Sequence, residues 1–61
     1  MKEKIIIYHE HHSEEIEIAK GSDGTFSILM DSYSGEQAFI HSISEKDMER
    51  IRDAIDEVLR G

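Results

Sequence analysis

The chain has 61 residues with no Cys and no Pro, and its 14 carboxylates against 7 Lys and Arg give a formal charge of -7. That length makes one domain, residues 1–61, which alone would bury only about 60% of its unfolded surface. Disulfide staples are excluded, a second subunit becomes the expected way to complete the core, and the acidic balance argues against nucleic acid as direct ligand, because such a chain has too few cations to displace counterions from phosphates.

Ile5, Ile6, Ile7 and Tyr8 form a β-branched and aromatic run that predicts a first strand. Glu15, Ile16, Glu17, Ile18 and Ala19 then alternate at period two, the mark of a second strand with one wet face. Gly21-Ser22-Asp23-Gly24 is turn chemistry, and it predicts a hairpin into a third strand between Thr25 and Tyr33. In that strand Phe26, Ile28 and Met30 share one face, while Ser27, Leu29, Asp31 and Tyr33 share the other. After Ser34-Gly35-Glu36, Ala38 to Ile43 form a fourth strand, with Phe39, His41 and Ile43 opposed to Ala38, Ile40 and Ser42.

The period changes at Ser44. From Glu45 to Arg60, Met48, Ile51, Ile55, Val58 and Leu59 fall on one stripe at spacings of three and four, which predicts an amphipathic helix. Ser44 fits its N-cap, with Asp47 three residues on as a variant capping box, and Gly61 sits at the C-cap. The expected fold is therefore α+β: a four-stranded antiparallel meander with one C-terminal amphipathic helix packed on one face, in the order ββββα.

A single helix covers one side of a sheet, and its stripe best matches the side bearing Ile5, Ile7, Ile16, Ile18, Phe26, Ile28 and Met30. The other side is expected to hold Ile6, Tyr8, Leu29, Tyr33 and Ile40 or Phe39. Two tyrosines in such a patch suit an association surface. Ile6, Tyr8, Leu29, Tyr33 and Ile40 are accordingly the candidate contacts of a homodimer.

His9, His11 and His12 cluster within four residues. On an extended strand His9 and His11 point the same way, a spacing able to chelate zinc or nickel, with further ligands to be sought among His12, Glu10, His41 and Glu14. No motif completes that set, so the expectation is a polar turn from Glu10 to Ser13 with no metal and no cofactor. Serines lie at turns, caps and strand surfaces. Adjacent acids such as Glu14 with Glu15 or Asp56 with Glu57 diverge on a strand or helix, so no acid–base pair emerges and a non-catalytic protein is expected.

The acids Glu15 and Glu17 on the second strand, and Glu49, Asp53, Asp56 and Glu57 on the helix, stand away from the apolar positions. They are the candidate contacts for a protein partner with a basic surface. Arg52 with Asp56 and Asp56 with Arg60 stand four residues apart, a spacing that balances part of the helix charge internally. No apolar run reaches the roughly 20 residues of a membrane span. The first ten residues lack a leader's features, so a cytoplasmic location without membrane contact is expected.

In size, acidity and lack of a catalytic constellation the whole chain resembles the small inhibitors that phages carry against bacterial restriction, CRISPR or other defence systems such as Hachiman. That resemblance implies an inhibitor of a nucleic-acid-processing or defence protein, acting in the host cytoplasm. Four strands then a helix, with Ile43-Ser44-Glu45 leading into Met48 and Ile51, is also similar to the PC4-like single-stranded-DNA-binding proteins, which act as dimers. Their basic, aromatic binding strands are missing here, so that resemblance implies a shared fold more than a shared ligand. The remaining alternative is a structural or regulatory subunit of a larger assembly.

Overall fold

The alternating and β-branched runs become strands where expected. In the computed structural model, which describes residues 1–61, these are β1 (Lys2–Tyr8), β2 (Ser13–Lys20), β3 (Phe26–Asp31) and β4 (Gln37–Ile43), followed by α1 (Glu45–Arg60). The sheet is an antiparallel meander in the order β1-β2-β3-β4. The fold is thus α+β, in the order ββββα.

Turn chemistry holds the register. The β2–β3 and β3–β4 connections share one construction, in which a glycine with positive φ closes a short turn: Gly24 at 84° and Gly35 at 90°. The Gly24 amide donates to the Gly21 carbonyl at 3.1 Å, and the Gly35 amide to the Ser32 carbonyl at 3.0 Å. Asp23 braces the first turn by accepting from the Thr25 amide at 3.0 Å and its hydroxyl at 2.8 Å. Those hydrogen bonds, the backbone one foremost, hold the Asp23 carboxyl below its ordinary value.

The register sorts the side chains into two faces. Ile5, Ile16, Met30 and Ala38 form one cross-strand row, and Glu3, Ile18, Ile28 and Ile40 form the next. Face A, which carries these rows, is almost wholly apolar. Face B carries Ile6, Tyr8, Leu29 and Phe39 among charged neighbours, with Lys2 at 3.3 Å from Glu17 and Lys4 at 3.8 Å from Glu15.

One irregularity departs from simple alternation. Phe26 pairs with Ile43 and Ile28 with Ile40, so β4 carries one residue more than β3 across that interval, and Ser42 takes a positive φ of 58°. This bulge turns Ile43 onto the same face as Ile40 and Phe26, where alternation alone had opposed it to Ile40. Ile43, 8% exposed, is the one buried residue of the chain.

Both helix ends are capped, but the Asp47 carboxylate turns to Arg50 instead of closing the expected capping box, and Gly61 does not take the left-handed conformation. Ser44 Oγ accepts from the Asp47 amide at 3.1 Å, and the Gly61 amide donates to the Val58 carbonyl at 3.2 Å. The tertiary position of the helix departs from expectation. It makes no substantial contact with any strand, it buries no residue, and Met48 in its second turn is its one half-buried side chain. The expected cover of the sheet is not formed. Ile55, Val58 and Leu59 remain 56%, 80% and 79% exposed.

Two stability measurements follow. At Ser42 a β-branched residue meets the full left-handed clash, so Ser42→Val should destabilise by about 1–2 kcal/mol while Ser42→Gly should be neutral or stabilising; urea titrations that rank the two variants the other way would remove the bulge from the account. Because Asp23 titrates lower in the folded than in the unfolded chain, its ionised form adds stability that is complete above its ordinary value of 3.8 and fades as pH falls through the lower folded value. The stability gap between the native chain and Asp23→Ala, measured at one protein concentration, should be constant above about pH 5 and shrink in acid. A gap unchanged in acid would show that the carboxylate charge does not hold the turn.

Candidate interaction surface

Two apolar surfaces lie uncovered on the same molecule. On face A, Ile5, Ile7, Met30 and Ile40 are all more than 40% exposed, and on the helix stripe Ile55, Val58 and Leu59 are all more than 50% exposed. The polar members of face A sit at its ends: Glu3 near the N-terminus, Glu14 beside the β1–β2 turn, and Lys20 whose ammonium lies 5.5 Å over the Phe26 ring. A shallow trough of about 330 Å³ crosses the same face over Ile7, Ile16, Met30 and Ala38, and reaches Glu14 and Ser32 at one end. It is open to solvent rather than enclosed.

The expected dimer patch does not come together. Ile6, Tyr8 and Leu29 share face B, but Ile40 pairs with Ile28 on face A, and Phe39 stands opposite Leu29. The cause is register, which alternation within β4 left open between Ile40 and Phe39. Tyr33 falls beyond the end of β3 in a turn, where its ring stacks on His12 with centroids 3.9 Å apart. The surviving face B group is interrupted by the Lys2–Glu17 and Lys4–Glu15 pairs, which place solvated charge across it.

The acidic candidates are partly neutralised. Glu15 and Glu17 belong to those two lysine pairs. On the helix Arg52 contacts Asp53 at 3.0 Å, Arg60 contacts Glu57 at 3.9 Å and Arg50 contacts Asp47 at 3.1 Å. The expected pairs of Asp56 with Arg52 and Arg60 do not form, because each arginine reaches a nearer acid. Hydrogen bonding and charge from Asp53, with smaller contributions from Glu49 and Asp56, raise the Arg52 guanidinium above its ordinary value. Glu49 and Asp56 remain without an ion-pair partner, and with Asp53 they lie along one exposed line at spacings of four and three.

The histidines separate into two groups. His11 projects from the hairpin tip beside Glu10, with both side chains more than 80% exposed. His9 and His12 flank the tip instead, where the His9 amide donates to the His12 carbonyl at 2.8 Å. Their rings stand 4.5 Å apart, and His9 Nε2 lies 2.9 Å from Glu14 Oε1. The His9 hydrogen bond is the main reason that the Glu14 carboxyl lies below the usual range, and hydrogen bonds from the Ser32 side chain and the Tyr33 backbone add to it. His41 is on β4 at the opposite edge of the sheet, its Nδ1 3.0 Å from Ser42 Oγ and its ring stacked on Phe39.

No family model, curated protein or solved structure matches the chain. No helix is long and apolar enough to cross a membrane.

Proposed function

We propose that this chain is a small acidic, non-catalytic binding protein that works as a homodimer and presents its acidic helix to a basic protein surface. The observation that carries the dimer is the coexistence, in one chain, of an uncovered apolar sheet face and an uncovered apolar helix stripe, with only Ile43 buried. Ordering a residue costs about 1–2 kcal/mol of backbone entropy, and a chain with one buried side chain and an otherwise half-buried sheet offsets that cost only in part. The helix, 16 residues or about 24 Å long, spans the width of four strands set about 4.8 Å apart. A reciprocal arrangement, with each helix on the other copy's face A, is closed and self-complementary. It leaves the paired charges of face B and the outer side of the helix in water.

The acidic line Glu49, Asp53 and Asp56 supports a basic protein partner, because it stays outward in that arrangement. Inhibition of a bacterial nucleic-acid-processing or defence protein is the narrower form of this reading, and it draws on the chain's size and charge. Shallow relief on face A and the absence of an enclosed pocket favour binding over catalysis.

Sedimentation equilibrium at micromolar concentration should give twice the 7.0 kDa of one chain. Ile55→Asp is the informative variant: Ile55 is 56% exposed in one chain, so a folded monomer would lose no more than about 0.5 kcal/mol, whereas the dimer should dissociate and unfold. A cooperatively folded 7.0 kDa species, indifferent to that change, would end the dimer reading. For the partner, the triple variant Glu49→Lys, Asp53→Lys, Asp56→Lys should keep the dimer mass yet fail to retain the basic proteins that the immobilised native chain captures from bacterial lysate. Equal retention by both would remove the acidic helix from the contact.

A further inference from the structure

We infer that His9, His12 and Glu14 form a binding site for a divalent transition-metal cation of the zinc class, built on the β1–β2 hairpin.

The hairpin register creates the cluster. Tyr8 pairs with Ser13 and Ile7 with Glu14, so the next step outward opposes His9 to His12, and all three side chains fall on face A at its edge. Their ligand atoms, one from each residue, lie within 4.8 Å of one another. Zinc takes imidazole nitrogen at about 2.0–2.1 Å and carboxylate oxygen at about 2.0–2.2 Å, so small side-chain rotations bring the three to one ion without moving the backbone. Two imidazoles and a carboxylate leave a fourth position for water or for a group from another molecule.

The surroundings orient the ligands. The His12 ring rests on Tyr33 at 3.9 Å, which restricts its rotation. Glu14 is held by His9 at 2.9 Å and borders the same trough as Ser32 of the β3–β4 turn, so two separate loops surround the site. Partners of this kind commonly orient metal ligands. His12 and Glu14 are half-buried, unlike the tip residues Glu10 and His11. The chain's charge of -7 favours any cation.

Ligand chemistry selects the metal class. Imidazole suits zinc, nickel and copper, whereas magnesium and calcium prefer all-oxygen shells. General attraction of cations to an acidic protein predicts no such preference. His11 serves as an internal control, being a neighbour in sequence that the hairpin directs elsewhere.

Isothermal titration of the full chain with zinc chloride and nickel chloride, against magnesium and calcium chloride, tests the site. One zinc per chain should bind, with no measurable magnesium or calcium heat at the same concentrations. His9→Ala, His12→Ala and Glu14→Gln should each weaken zinc binding by at least about tenfold, while His11→Ala should leave it within about twofold. Circular dichroism of the metal-free variants checks that they fold, and since His9 and His11 are both exposed, that pair alone keeps the comparison valid should His12→Ala or Glu14→Gln unfold. Zinc binding absent, matched by magnesium, or weakened as much by His11→Ala as by His9→Ala would overturn the inference. Tyr33→Ala, which removes the stacking ring and no ligand, should lower zinc affinity, and Tyr33→Phe should restore it. Equal affinities across the three chains would leave Tyr33 without a positioning role and contradict that part of the argument.

Discussion

The antiparallel register is the constraint on which the other features rest. Because the side-chain period of a strand is two, slipping β2 by one residue against β1 would carry Ile16 and Ile18 to face B and Glu15 and Glu17 to face A. The two glycine-closed turns and the β1–β2 tip forbid that slip. With the register fixed, face A becomes apolar by default, face B takes the lysine–glutamate pairs, and His9, His12 and Glu14 meet at one edge. Apolar surface, charge segregation and histidine cluster are three readings of one alignment.

Local and tertiary satisfaction part company in the helix. Its ends are well served, since Ser44 occupies one orphan amide and Gly61 one orphan carbonyl, Glu45 and Asp47 lie in the first turn and Arg60 in the last. Its stripe is served by nothing within the chain. Isolated helices of about 12–15 residues are marginal in water, and helical stability in proteins comes mainly from packing the apolar face. The stripe and the face A rows are thus the two apolar surfaces that the single chain leaves uncovered.

Elements were legible in the residues because each has its own period: alternation in β2, a β-branched run in β1, threes and fours from Met48 to Leu59. Loop chemistry was legible for the same reason, with Gly24 and Gly35 standing where positive φ is needed. Three things were hidden. The Ser42 bulge has no glycine to announce it, so simple alternation puts Ile43 on the wrong side of β4. The residues alone suggest a β1–β2 turn from Glu10 to Ser13, but Ser13 begins β2, and this shift exchanges the pair His9 and His11 for His9 and His12. The direction in which the chain leaves β4 at Ser44 decides whether the helix lies over the sheet, and no periodicity records it. Given the β1–β2 register, the grouping of His9, His12 and Glu14 follows directly, which makes the turn boundary the missing datum rather than the ligands.

Charge and apolar surface are distributed in complementary fashion. Residues 1–30 hold six acids against three bases and residues 31–61 hold eight against four, so no acidic tail exists. On the folded chain the acids are spent on face B, on the outer helix line and at the turns, and the middle of face A carries none. Two copies meeting through face A would therefore juxtapose apolar rows while keeping their like charges apart, at the periphery, where water and salt screen them within about 8–10 Å. The exceptions are Glu3 at one end of face A and the edge where Glu14 stands beside His9 and His12. A carboxylate at the rim of an apolar contact is costly unless it is paired, and for Glu14 the pairing is supplied from within the hairpin by His9.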